Sequence, residues 1–73
     1  MDADTKELIR RLFAALTALI EDAHDLAAAG QADRPNPADY VAKTAALRNS
    51  LNDAQTLAHA AEIVATRAAR GHS

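Results

Sequence analysis

There is no cysteine among the 73 residues, so no disulfide can hold the chain together. Glycine and proline occur only twice each. Gly30 and Gly71 stand alone, which excludes a glycine-rich loop cradling a phosphate. Both prolines, Pro35 and Pro37, fall in one short stretch. A long hydrophobic run is missing too: the nearest approach, Leu12 to Ile20, is interrupted by Thr17 and is far too short to cross a bilayer. Nor is there a strong excess of one charge. Eight basic against ten acidic residues leave a net charge of −2, which argues against non-specific binding to nucleic acid or anionic membranes. Met1-Asp2-Ala3-Asp4 is acidic where a secretory signal would be basic. These absences point to a soluble, cytoplasmic protein that is not a membrane protein.

What the chain has in quantity is alanine. Of its 36 hydrophobic residues 20 are Ala, leaving 16 larger apolar side chains to drive collapse. A domain this small generally needs a disulfide, a metal, very regular packing or self-association to stay folded. Without cysteine, self-association is the expected solution.

The one clear interruption of helical pattern is Gly30-Gln31-Ala32-Asp33-Arg34-Pro35-Asn36-Pro37. Glycine past a periodic segment marks a helix end, and Asn before Pro marks a helix start, with Asn as the cap and Pro at the first helical position. The sequence therefore predicts a single domain over 1–73, with helix 1 at about 5–29, a turn at 30–36 and helix 2 at about 37–70. Asp4 and Glu7 have the spacing of a capping box for the first helix. Apolar residues follow at Ile9, Leu12, Leu16, Leu19, Ala23 and Leu26, flanked by Leu8, Phe13 and Ile20. This arc is too broad for one partner helix to cover.

In the second helix a seam of alternating 4 and 3 spacing runs through Tyr40, Thr44, Leu47, Leu51, Ala54, Ala58, Ala61, Ala65 and Ala68, with Leu57 and Val64 on its flank. The first helix is bulky early and small late, as is the second. An antiparallel hairpin thus sets large side chains against small ones along its length. The fold class is all-α: an antiparallel two-helix hairpin, dimerising into a four-helix bundle. The expected dimer core is Leu8, Ile9, Leu12, Phe13, Leu16, Leu19, Ile20, Leu26, Tyr40, Leu47, Leu51, Leu57 and Val64. At 1.5 Å per residue the second helix outruns the first by about two turns. The expected overhang is Ile63 to Arg70, which makes Ile63, Arg67 and Arg70 the candidate partner-binding residues.

Chemistry-bearing constellations are sparse. Glu21 and His24, and His59 and Glu62 in reverse order, have the i, i+3 spacing of carboxylate–imidazole metal ligands. Only the first pair has the order used in di-iron bundles, and it lies away from the apolar seam, so no metal site is expected. The hydroxyl residues are scattered and no nucleophile–base pair stands out. We therefore expect no catalytic residues, no cofactor and no enzymatic activity. The interhelical turn is too long for a DNA-reading helix-turn-helix, and the helix after it opens with an acid, Asp39, that would repel phosphate. A membrane-surface helix would need a basic polar face. The first helix instead carries Glu21, Asp22 and Asp25.

On one flank of the first helix lie Lys6, Arg10, Phe13, Thr17 and His24. With this aromatic residue among basic and polar ones on a helical hairpin, the chain resembles the Rop family of plasmid RNA-binding proteins. The resemblance covers the hairpin plan, and the Gly30–Pro37 turn is longer than in that family. It implies dimerisation into a four-helix bundle and binding of paired RNA loops, which would make Lys6, Arg10 and Phe13 the RNA-binding residues. The same Phe13 also reads as the edge of the apolar arc. The sequence thus leads to a non-enzymatic protein–protein interaction or regulatory module. Its expected partners are itself, as a homodimer, and another protein. A Rop-like RNA-binding hairpin is the first alternative, and a subunit of a repeating helical assembly is the second.

Overall fold

In a computed structural model, which describes residues 1–31 and 36–71, the chain is two long helices packed against each other. They are α1, Ala3–Ala29, and α2, Pro37–Arg70. Most of the expected turn, residues 32–35, lies outside the described residues. Met1, Asp2 and Thr5 line one depression with Ala68 and Gly71, while Leu26 and Gly30 share another with Tyr40 and Leu47. The start of α1 is therefore beside the end of α2, and the helices are antiparallel. No helix is long and apolar enough to cross a membrane among the described residues.

The caps explain where the helices begin. Asn36 behaves as expected: its Oδ1 accepts the Asp39 N–H at 2.9 Å, with Pro37 opening the helix. The first helix starts two residues earlier than the sequence suggested. Asp2, rather than Asp4, is the cap and accepts the Thr5 N–H at 2.7 Å. Glu7 is thereby released from any capping role and takes Arg10 and Arg11 instead. Hydrogen bonding by Thr5, its side chain first and its backbone N–H second, holds the Asp2 carboxyl below its ordinary value of 3.8.

Both helices end at glycines that are not left-handed. Gly30 has φ −66° and Gly71 φ −72°, and their N–H groups donate to Leu26 O and Arg67 O. Glycine ends these helices without using its access to positive φ.

On α1 the residues turned toward α2 are Thr5, Ile9, Leu12, Leu16, Leu19, Ala23 and Leu26, all wholly or partly buried. Spaced alternately by 3 and 4, they include the whole expected seam. On α2 the facing row is Lys43, Leu47, Ser50, Ala54, Leu57, Ala61, Val64 and Ala68. Of the expected seam, Leu47, Ala54, Ala61, Ala65 and Ala68 are covered, whereas Tyr40, Thr44, Leu51 and Ala58 are exposed. Both rows keep the 4 and 3 spacing, so the pattern alone does not choose between them. In the second half of α2, facing α1 with Leu57 and Val64 rather than Ala58 removes more hydrocarbon from water; in the first half the same rotation turns Lys43 and Ser50 inward and leaves Tyr40 and Leu51 exposed.

The overhang is also at the other end. Because α1 starts early, Val64, Ala65 and Ala68 are partly covered and Ala61 is buried. It is Pro37 to Ala42, at the start of α2, that is exposed at every position.

The result is a rod. Its Cα extents are 56 × 14 × 12 Å and its radius of gyration is 16.7 Å, where a compact domain of this length has about 11 Å. Among the described residues only Ala23 and Ala61 are buried, and no side chain falls below 2% exposure.

Candidate interaction surface

Two helices of this length cannot cover the apolar residues they carry. The expected dimer core divides into two sets. Ile9, Leu12, Leu16, Leu19, Leu26, Leu47, Leu57 and Val64 are half-buried between the helices. Leu8, Phe13, Ile20, Tyr40 and Leu51 are exposed.

The exposed set is not scattered. At 3.6 residues per turn, Phe13, Ile20 and Ala27 lie on the flank of α1 reached by turning clockwise from the seam, seen from its N-terminus. Tyr40, Leu51 and Ala58 lie on the corresponding flank of α2. Reversing the direction of α2 puts these two flanks on the same broad side of the hairpin. The depression lined by Ala27, Tyr40, Thr44 and Leu47 joins them there. Phe13 is 59% exposed, Ile20 53% and Leu51 52%. The opposite broad side carries Leu8, Ala15, Ala60 and, toward its outer edge, Ile63 among Arg11, Asp22, Asn49, Asp53 and Arg67. The Phe13 side is therefore the more apolar of the two.

Along the rim of the apolar side stand Lys6, Arg10, Thr17 and His24 on α1, and Arg48, Gln55 and Glu62 on α2. All are exposed. Arg10 is engaged: its Nε and Nη2 donate to Glu7, and Arg11 Nε donates to the same carboxylate at 3.2 Å. The Thr17 hydroxyl donates to Phe13 O at 2.9 Å. Of the three candidate RNA-binding residues, only Lys6 keeps a charge without a carboxylate beside it among the described residues.

The candidate partner-binding residues are exposed: Ile63 and Arg70 lie on the outer side of α2, and Arg67 on the flank it shares with Asp53. They flank a covered stretch rather than a projecting end. Glu21, His24, His59 and Glu62 are exposed. His24 Nδ1 lies 3.5 Å from Asp25 Oδ1, and among the described residues no three His, Asp or Glu side chains converge.

Sequence reasoning found the members of the apolar side but not their grouping, which depends on how α2 is rotated. Val41, 70% exposed at the overhanging start of α2, was missed. Compared with known protein families, curated proteins and solved structures, the chain matches none.

Proposed function

We propose that the chain works as a non-enzymatic protein–protein interaction or regulatory module, in the form of a homodimer whose two hairpins make a four-helix bundle. The observation that carries this reading is excess surface. The chain exposes 5684 Å². A compact monomer of 7.7 kDa exposes about 4,300 Å², so the hairpin leaves roughly 1,400 Å² more than a globule of its mass. It buries only about half of its unfolded surface, where about 60% is usual for this size. An uncovered apolar side on a hairpin with two buried alanines is what half of a bundle looks like.

Mass in solution across a dilution series tests this. A dimer mass that persists into the micromolar range is expected. A folded monomer there overturns the reading, and a mass that grows steadily with concentration replaces it with an open assembly.

The exposure of Phe13 on the same flank as Lys6, two turns away, favours RNA binding as the second reading. A ring on a base and an ammonium on phosphate are the contacts it needs. Retention of structured RNA at low salt, weakened by Phe13→Ala without loss of helicity, would support it. The Glu7 carboxylate across Arg10 and Arg11 weighs against it.

A further inference from the structure

We infer that the apolar side is covered by a second copy of this chain in one particular arrangement: the two hairpins are related by a two-fold axis along their length, so that α1 of each lies on α2 of the other. This rests on the homodimer reading and goes beyond it by fixing the face, the pairing and the contacts.

Size comes first. A side of 56 × 14 Å over Cα atoms has a footprint of roughly 800 Å², the area each partner contributes to a standard stable interface. The opposite side is as large but would bury the charges of Asp22, Asp53 and Arg67, with Arg11 already held by Glu7.

Shape decides the orientation. Thr5 is level with Ala68–Gly71, and Leu26 with Leu47. Interpolating between these ends gives the level of every other residue. With the axis along the rod these levels are preserved on the second copy. Ile9 then faces Ala65, Phe13 faces Ala58 and Ala27 faces Leu47, so large meets small at three of the four layers. Ile20 meets Leu51 at the remaining layer. With the axis across the rod, α1 would lie on α1 and Phe13 would meet Ile20, large on large.

Charge agrees. The first arrangement sets Arg10 of one copy about level with Glu62 of the other and Thr17 level with Gln55, while Lys6 falls level with Ala69. Among the described residues Glu62 has no ion-pair partner within the chain, and Arg10 shares the Glu7 carboxylate with Arg11. The crosswise arrangement would place Lys6 and Arg10 along the rim carrying His24, with no carboxylate opposite. His24 level with Arg48 is the one rim pairing in the first arrangement without complementarity.

Natural absence of cysteine makes the test direct. Phe13→Cys and Ala58→Cys chains are prepared separately, mixed, unfolded, refolded and oxidised. Within one chain the two positions lie on adjacent helices with their flanks parallel, and the inferred contact joins them only between chains. The mixture is expected to cross-link, while each variant oxidised alone stays uncross-linked. Cross-linking of Phe13→Cys with itself, or none in the mixture, overturns the arrangement. If wild type is nonetheless a dimer, the homodimer reading stands. If wild type is a folded monomer at micromolar concentration, both fall. As an independent arm, Glu62→Lys is expected to weaken the dimer about tenfold, and adding Arg10→Glu to recover part of that. Failure of the second change to recover any affinity counts against the pairing.

Discussion

Arg10 Nη2 lies 2.8 Å from Oε2 of Glu7, so the most basic point on the Phe13 flank is held against a carboxylate of its own helix. Arg11 Nε takes the other oxygen at 3.2 Å. One acid thus answers two bases, and the flank presents less positive charge than its composition suggests. Both guanidiniums are 78% exposed, which makes the pairs worth little to stability. Glu7→Gln is expected to cost about 0.5 kcal/mol or less in a thermal melt. It should raise retention on structured RNA at low ionic strength and leave none at high salt. Unchanged retention would remove the idea that Glu7 masks the flank.

The Asp2 cap gives the start of α1 a pH dependence. Its carboxyl titrates below 3.8 in the folded chain, so the cap contributes fully above 3.8 and is lost as pH falls through the lower folded value. Asp2→Asn keeps an accepting oxygen but not the titration, and Asp2→Ala keeps neither. Far-UV circular dichroism should show Asp2→Ala less helical at neutral pH. The acid-dependent difference between wild type and Asp2→Asn should appear only below the ordinary carboxylate range.

Ala61 is buried where α1 and α2 pack, and interpolated levels place it across from Leu12. A larger side chain there must push the helices apart. Ala61→Leu is expected to destabilise by about 1–3 kcal/mol, and Ala14→Leu, on the exposed outer side of α1, by less than about 0.5. At about 4–8 °C per kcal/mol for a domain of this size, melting temperatures separate the two. Equal melting temperatures would mean that the helices do not approach closely at Ala61.

Lys43 is half-buried and shares a depression with Gly30 at the end of α1, which has no basic residue in its own last turn. That places Lys43 near the carbonyl end of the α1 dipole, where a cation is favourable. Lys43→Glu is expected to cost about 1 kcal/mol, with the loss shrinking at high salt, whereas a purely steric role would leave the effect independent of salt.

Gly71 sits at φ −72°, and a methyl group added to it would meet Arg67 O at an ordinary 3.4 Å. Gly71→Ala should therefore stabilise α2 by about 0.5 kcal/mol. Gly30→Ala should gain less, since its added carbon would lie 3.3 Å from Ala27 O. Loss of stability at Gly71 would show that the glycine is needed for its backbone.

The hairpin was legible because its signals are local. Asn36-Pro37 announces a helix start by hydrogen-bond chemistry that needs no tertiary context, and the α1 seam from Ile9 to Leu26 has a single reading at helical period. The face of α2 was legible only in part: Leu47, Ala54, Ala61, Ala65 and Ala68 are covered as expected, but Tyr40, Thr44, Leu51 and Ala58 repeat with the same period as Lys43, Ser50, Leu57 and Val64. Which row turns inward is settled by what the other helix can bury. The cap of α1 was misplaced for a related reason: Asp2 and Asp4 both carry a suitable oxygen, and less than one turn of helix separates the outcomes. The grouping of Phe13, Ile20, Tyr40 and Leu51 on one broad side follows from the rotation of α2, so it could not be known before that rotation was.

A seam built from two enclosed alanines and a row of half-covered leucines has no keystone. Among the described residues no single side chain is so enclosed that only its own shape will do, and Leu, Ile or Met can replace one another with small adjustments. What must persist over generations is the rhythm of the apolar positions and the smallness of Ala23 and Ala61, while the letters between them are at liberty to drift.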